Sequence, residues 1–305
     1  MTDICQYCDG TCQKSHWPQH KIDCRSPLAK DSWKPDWVLE SRRPAFISNE
    51  ARRLFGGRKY YWGNMPALDI LRLTRNEGAS YDGDVRLLFA GEHTTLRYPA
   101  PEILINSLIY FPASGDMRNV VETVACLPSE YTKPVMLHIN DKDFDIVARN
   151  LLITLLALAA PADSQTVDCM LHLGYSATIT SAHLDLIQLH VRPLIRDIVS
   201  KVKDKPDDTI LGKTWTFLAG SCRTELARTQ WSALLCLCEV PSQLSAEQAQ
   251  RMRRAITLAP QRVDHRHRHL CAQKPAHRVS LMKFREDGIL LPFGSSRQAF
   301  KVANP

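Results

Sequence analysis

The first 24 residues of the chain concentrate side chains that bind metal ions. Four cysteines and two histidines occur there, at Cys5, Cys8, Cys12, His16, His20 and Cys24. A segment this short cannot bury enough apolar surface to fold alone, whereas thiolates and imidazoles can hold a structural zinc ion tetrahedrally. The start of the chain is therefore predicted to fold around zinc.

Four of these residues follow a regular spacing, Cys8-x3-Cys12-x7-His20-x3-Cys24. Tyr7 precedes the first of them, and the pair His16-Trp17 lies shortly before His20. With these flanking residues, the spacing resembles the second half of a MYND-type zinc finger. The resemblance implies that the segment binds zinc and contacts partner peptides, and that His16 is a structural helix residue rather than a ligand.

The resemblance covers only half of such a finger. A complete finger has two interleaved zinc sites, in which Cys8 and Cys12 would serve one ion and His20 and Cys24 the other. The upstream ligands have no counterpart here, because Cys5 does not stand at the expected ligand position. The alternative is one site formed by Cys8, Cys12, His20 and Cys24, with Cys5 as the substitute ligand.

The remainder of the chain divides into segments with different patterns. Residues 25–59 are interrupted by prolines and rich in arginine, which is typical of a linker. Apolar runs at 84–90 and 134–140 are predicted strands, and each is followed by a segment of helical pattern. This alternation indicates a parallel βαβ core. Residues 166–305 carry mainly helical patterns.

A second resemblance spans residues 60–305. It is carried by separated stretches: Trp62-Gly63, Leu87-Leu88-Phe89-Ala90, Gly115-Asp116-Met117-Arg118-Asn119 and the run from Phe284 to Gly294. They resemble a fungal family of unknown function that accompanies MYND fingers and is related to the N-terminal domain of dynein axonemal assembly factor 3. The resemblance implies an assembly or scaffold role.

The expected fold class is therefore α/β. We predict a partial zinc finger at 1–24 and a linker, then a Rossmann-like parallel βαβ domain at 60–165. A mostly helical region follows at 166–305. The family pattern continues beyond Pro305, so this last region is expected to be truncated.

One stretch departs from the family pattern. Residues 91–112 separate Ala90 from Ala113, and joining those two alanines restores a family-like sequence. The edges of the stretch can be encoded with the usual intron boundaries. We therefore predict a retained intron translated in frame, and a genuine surface insertion is the alternative.

The turns that follow the two predicted strands are candidate cofactor sites. Gly115 and Asp116 lie in the first turn and Asp141 in the second, where Rossmann-type folds bind a nucleotide or S-adenosylmethionine. The loop lacks the G-x-G-x-x-G pattern that brings the backbone close to a pyrophosphate. A non-enzymatic, zinc-binding interaction protein with a scaffold domain is the main hypothesis. A methyltransferase-like enzyme that binds S-adenosylmethionine is the alternative.

The charge pattern and the hydropathy of the chain limit the kinds of partner that we expect it to bind. The net charge is +7, and residues 251–278 are strongly basic. Because that stretch has no aromatic residue to stack on bases, we do not expect nucleic acid to be a partner. Its alternating His265, His267 and His269 suggest a metal-chelating strand or an exposed basic loop. The longest apolar run, residues 151–160, is too short to cross a bilayer. With cysteines grouped as metal ligands, we expect an intracellular protein, cytoplasmic or nuclear.

Overall fold

A computed structural model describes residues 9–47, 66–90, 108–111, 115–218 and 220–305. The helices are α1 (Gly10–Arg25), α2 (Asp36–Leu39), α3 (Leu73–Asn76), α4 (Arg118–Ala125), α5 (Phe144–Ala159), α6 (Ser164–Tyr175), α7 (Ser181–Leu186), α8 (Arg192–Val202), α9 (Arg228–Cys236), α10 (Ala246–Thr257), α11 (Val263–Cys271) and α12 (Pro275–Asp287). The strands are β1 (Val85–Ala90), β2 (Leu108–Phe111), β3 (Val135–Asn140), β4 (Thr178–Ile179), β5 (Ile210–Phe217), β6 (Gly220–Ala227) and β7 (Val302–Ala303). Over this part of the chain, no helix combines the length and the apolar character that crossing a membrane requires.

The chain forms two compact units. One combines Met1–Gly56 with Leu155–Pro305, and the other is Gly57–Thr154. Helix α5 runs across the boundary at residue 154. The domain limits drawn from the sequence, 60–165 and 166–305, stay predictions.

The unit Gly57–Thr154 contains a small parallel sheet in the order β2-β1-β3. The central strand β1 is buried on both faces, through Leu87 and Phe89 on one and Leu88 on the other. Parallel strands covered on both faces need such continuous apolar runs. The strands predicted at 84–90 and 134–140 are confirmed. The mixture of helices and parallel strands is that of an α/β unit, and the finer Rossmann-like assignment stays a prediction.

Strand β2 lies inside the stretch 91–112 that departs from the family pattern. It pairs in parallel with β1, with Leu108 opposite Arg86 and Phe111 opposite Phe89. A short apolar segment can add to the open edge of a sheet whatever its origin, because the edge presents unpaired backbone groups. Residues 91–107 and 112 lie outside the described residues, and the retained intron stays a prediction about the gene.

The other unit is mostly helical around an apolar core. One stripe of buried side chains runs along the π-helical turn Ile187–Val191, which follows α7, and along α8: Ile187, Val191, Ile195, Ile198 and Val202. Strands β5 and β6 form an antiparallel hairpin. The ring of Trp215 on β5 packs edge-on against the fully buried Trp231 of α9, with 6.0 Å between ring centroids. This unit therefore has a core of its own.

Residues from the predicted linker pack onto α11 within this unit. Arg42 forms a two-pronged ion pair with the buried Asp264, at 2.6 Å (Nη1 to Oδ2) and 2.7 Å (Nη2 to Oδ1). The backbone N–H of Ala45 donates to the same carboxylate at 2.7 Å. The rings of Trp33 and Trp37 lie 5.4 and 6.2 Å from the ring of His267. The described residues of 25–47 are thus anchored in the fold.

The alternating histidines lie on helix α11, so the strand and loop interpretations of that segment were both wrong. A helix turns about 100° per residue, which places His267 on the opposite side of the helix from His265 and His269. His267 faces the two tryptophans, whereas His269 is exposed. The three imidazoles therefore do not form a chelating row.

Candidate metal centre and cofactor loop

Helix α1 carries three of the predicted zinc ligands. Asp9 caps its N-terminus, since its side chain accepts the backbone N–H of Cys12 at 2.7 Å. His20 and Cys24 are one helical turn apart, and 3.1 Å separates the imidazole Nε2 from the thiol Sγ. Nitrogen and sulfur ligands of one tetrahedral zinc stand about 3.5 Å apart, given the usual bond lengths. A small side-chain adjustment would therefore let this pair bind one ion.

Cys12 does not share that position. It precedes His20 by eight residues on the same helix, which corresponds to about 12 Å along the axis at 1.5 Å per residue. Two ligands of one zinc ion lie within about 4 Å of each other. The structure thus brings His20 and Cys24 together and holds Cys12 apart from them. This separation is expected if Cys12 binds a different ion from His20 and Cys24.

The two remaining candidates, Cys5 and Cys8, lie outside the described residues. Among the residues that are described, no group of three or more His, Cys, Asp or Glu side chains is arranged to hold a metal ion. On its own, the His20 and Cys24 pair offers two of the four ligands that a tetrahedral zinc site needs.

The pair is held in place by contacts between α1 and the C-terminal part of the same unit. His20 is 5% exposed and its ring lies 5.5 Å from that of Phe293. One turn along, the buried carboxylate of Asp23 pairs with the ammonium group of Lys283 on α12. These contacts fix the orientation of the helix, and with it the orientation of the His20 and Cys24 side chains.

Cysteines outside α1 differ in their suitability as metal ligands. Cys169 and Cys238 are buried, and burial raises the pKa of each thiol to about 12. A thiol must lose its proton to bind zinc, so these two are packing residues. Cys236 is exposed on α9 and serves as a useful reference for surface thiols.

The predicted cofactor loop is held by local bonds. Asp116 accepts the backbone N–H of Arg118 at 3.1 Å and the Nε–H of the same residue at 2.8 and 2.9 Å. The guanidinium of Arg149 donates to the carbonyl oxygen of Gly115. Asp141 accepts the backbone N–H of Asp143 at 3.0 Å, in the turn that opens α5. Each predicted residue thus has a structural role at the end of the sheet.

Sequence reasoning missed a buried histidine pair in the helical unit. The rings of His172 and His183 stack with 5.3 Å between centroids, and both Nε2 atoms face the carboxylate of Asp168, at 3.5 and 3.0 Å. Burial lowers the pKa of both imidazoles, although the Asp168 charge opposes this effect. The i, i+4 spacing of Asp168 and His172 was readable on a helix, but the partner at His183 was not.

Comparison with known proteins gives one match. No curated protein matches the chain, and no solved structure does. The zinc-finger assignment of residues 1–24 stays a prediction. Residues 61–179 match the model of DUF4470, a family described as a domain of unknown function.

Proposed function

We propose that the chain binds zinc through its N-terminal segment and uses that segment to contact protein partners. The observation that carries the proposal is the 3.1 Å separation of His20 Nε2 and Cys24 Sγ on one turn of α1. A His-x3-Cys pair on one helical face supplies two ligands in the arrangement that structural zinc sites use. The α/β region with its Rossmann-like character would then act as a scaffold, in the cytoplasm or nucleus.

Cys5 and Cys8 are the proposed second pair of ligands. Their Cys-x2-Cys spacing is the common one for zinc sites, and the position of Cys12 along α1 separates it from His20. Cys5 therefore takes the place of Cys12 in a single site with Cys8, His20 and Cys24. Zinc bound there would join the thiolates of Cys5 and Cys8 to the His20 and Cys24 pair and tie the start of the chain to α1.

Helix α1 exposes two large apolar side chains that a partner could contact. Trp17 is 47% exposed and Ile22 is 62% exposed. Large apolar side chains on a short, metal-stabilised element are typical contact residues, because aromatic groups contribute much of the binding energy at interfaces. We propose that partner peptides place apolar side chains against Trp17 and Ile22.

Cobalt substitution tests the ligand set. Cobalt(II) bound by thiolates in a tetrahedral site absorbs in the near ultraviolet and visible regions, and the intensity follows the number of thiolates. Cys24→Ser should weaken this absorption and cobalt affinity, whereas Cys12→Ser and the surface control Cys236→Ser should leave both unchanged. Loss of the spectrum in Cys12→Ser with retention in Cys24→Ser would contradict the proposed set.

The alternative is an S-adenosylmethionine-binding, methyltransferase-like enzyme. Its supporting observation is that Asp141 directly follows β3, whose paired neighbour β1 ends at the same edge, where α/β folds usually bind ligands. The engagement of Asp116 by Arg118 weakens it. Titration calorimetry with S-adenosylmethionine tests this alternative. The alternative requires saturable binding that Asp141→Ala reduces, and a titration without any heat of binding would exclude it.

A further inference from the structure

Residues 300–304, named the strap, pack on the histidine pair of α6 and α7. The ring of Phe300 is 9% exposed, and its centroid lies 4.5 Å from that of His172 and 6.1 Å from that of His183. Strand β7, which follows Phe300, pairs antiparallel with β4. The strap therefore lies directly against both imidazoles and against the strand that precedes α7.

Asn304 ties the other end of the strap to the end of α6. Its backbone N–H donates to the carbonyl oxygen of Ala177 at 3.0 Å. Its side-chain amide donates to three more carbonyl oxygens, at 3.2, 3.1 and 2.6 Å: those of His172, Leu173 and Ser176. Small local contacts of this kind open at a lower free energy than a whole folded unit.

The hydrogen bonds of His183 require its neutral form. The backbone N–H of Thr180 donates to His183 Nδ1 at 3.4 Å, so the ring proton lies on Nε2, which faces Asp168 Oδ2 at 3.0 Å. A second proton on Nδ1 would set two donors against each other and break the capping box that begins α7. Because Thr180 directly follows β4, this cap lies next to the strand that pairs with the strap.

Two protonated imidazoles would carry more charge than the carboxylate that they share. Their ring centroids are 5.3 Å apart, and both Nε2 atoms face Asp168, whose side chain is 54% exposed and therefore partly screened by water. The neighbouring elements carry further charged side chains: Asp185 on α7, Lys301 in the strap, Glu247, Arg251, Arg253 and Arg254 on α10, and the Asp287–Arg297 pair. Asp185 and Lys301 are exposed. The shared carboxylate of Asp168 compensates one imidazolium better than two.

We propose that His172 and His183 form an acid-sensitive latch, whose protonation releases the strap and uncovers the edge of β4. Burial lowers the pKa of both imidazoles while the strap is in place, and the charge of Asp168 opposes this effect. Once the strap has opened, the imidazoles titrate near the ordinary value of about 6.5. The open form therefore takes up protons first as the pH falls below about 6.5, and release is favoured from there downward. The latch depends neither on zinc nor on the cofactor loop.

Hydrogen exchange of the full chain at about pH 7.5 and 5.5, followed by mass spectrometry, tests the latch. Protection is expressed relative to the exchange rate of an unfolded chain at the same pH, which removes the chemical effect of pH on exchange. The protection of the strap amides should fall about tenfold or more at the lower pH, since each histidine contributes up to about tenfold there. At both pH values the strap should be less protected than α8, because it opens without unfolding of the unit.

Glutamine variants separate the latch from other effects of acid. The double variant His172→Gln, His183→Gln has neutral side chains at both positions, so the protection of its strap should be nearly equal at the two pH values. His190→Gln removes an imidazole outside the pair and should keep the full fall in protection. If the strap of the double variant is already open at about pH 7.5, the single variants decide, and each should show a smaller fall than the original chain.

Three results would overturn the proposal. The first is strap protection in the original chain that does not change between the two pH values. The second is an equal fall in the original chain and in the histidine variants, which would place the titrating group elsewhere. The third is equal protection of the strap and α8 at each pH, which would show that the strap opens only when the whole unit unfolds.

Discussion

At the scale of single residues, Asp264 joins parts of the chain that are far apart in sequence. Its carboxylate is 1% exposed and binds both the Arg42 guanidinium and the backbone N–H of Ala45. An aspartate between basic residues gives no sequence signal for such a pairing, because the partner lies 222 residues away. The proposed zinc ligands could be read from the sequence for the opposite reason, since their spacing is local.

Removing this carboxylate should destabilise the helical unit. Asp264→Asn removes the buried anionic partner of Arg42, which keeps its exposed pair with Glu40, and should lower the free energy of unfolding by about 2–3 kcal/mol. Asp197→Asn, which removes the carboxylate of the exposed pair with Lys201, should lower the free energy of unfolding far less. Urea unfolding of both variants measures the difference, and equal values would argue against the anchoring role.

The same carboxylate predicts acid sensitivity. The hydrogen bond from Arg42 is the main cause that lowers the pKa of Asp264 to about 2. An unfolded aspartate titrates near 3.9, so the unfolded state takes up its proton first as the pH falls. The contribution of Asp264 is therefore complete above about pH 4 and is lost between about pH 4 and 2. Between about pH 4 and 2, the free energy of unfolding should depend less steeply on pH in Asp264→Asn than in the original chain. Urea unfolding at several pH values measures this dependence.

The buried histidine pair predicts a second pH dependence. Burial lowers the pKa of His172 and His183 in the folded state, whereas unfolded histidine titrates near 6.5. Stability should therefore fall as the pH drops below about 6.5. His172→Gln should reduce the loss of unfolding free energy between about pH 7 and 5.5, and the control His190→Gln should not. An unchanged slope in His172→Gln would refute the assignment.

At the scale of elements, periodicity predicted the parallel strands well. The apolar runs at 84–90 and 134–140 became β1 and β3 because both faces of β1 are covered. It failed at His265, His267 and His269, where alternating polar residues suggested an extended segment. There the helix is stabilised by burial of Asp264 and Leu270, which lie on α11 and contact the rest of the unit. Tertiary contacts outweighed the local pattern.

The buried strand carries a prediction about packing. Leu87 is fully buried in the cluster that includes Val85 and Phe89. Leu87→Ala should lower the free energy of unfolding by about 3 kcal/mol, since it creates a cavity between strand and helix. Met136→Ala, at a 48% exposed position on β3, should cost about 0.5 kcal/mol or less. Similar costs for both would mean that Leu87 lies outside the core.

At the scale of the whole chain, residues from its beginning and its end form one unit. Sequence patterns located segments but did not show that residues 25–47 pack on α11, because a proline-interrupted basic stretch looks like any solvent-exposed linker. The tryptophans at 33 and 37 were the available signal, since large aromatic side chains usually seek a packing partner. Only the three-dimensional structure identified α11 as the element against which these tryptophans pack.

This arrangement predicts that the N-terminal segment stabilises the helical unit. A chain that starts at residue 48 loses the Arg42 pair and both tryptophan contacts, and should melt about 5 °C or more below the full chain. Differential scanning calorimetry measures this shift. Identical melting temperatures would show that the segment only rests on the surface.

The zinc content of the purified full chain tests the central claim most directly. Elemental analysis should find about one zinc ion per chain, as expected for one four-ligand site. The content should fall strongly in Cys24→Ser and stay unchanged in Cys236→Ser. Zinc far below one per chain in the original protein, or equal zinc in Cys24→Ser and the original protein, would contradict the account.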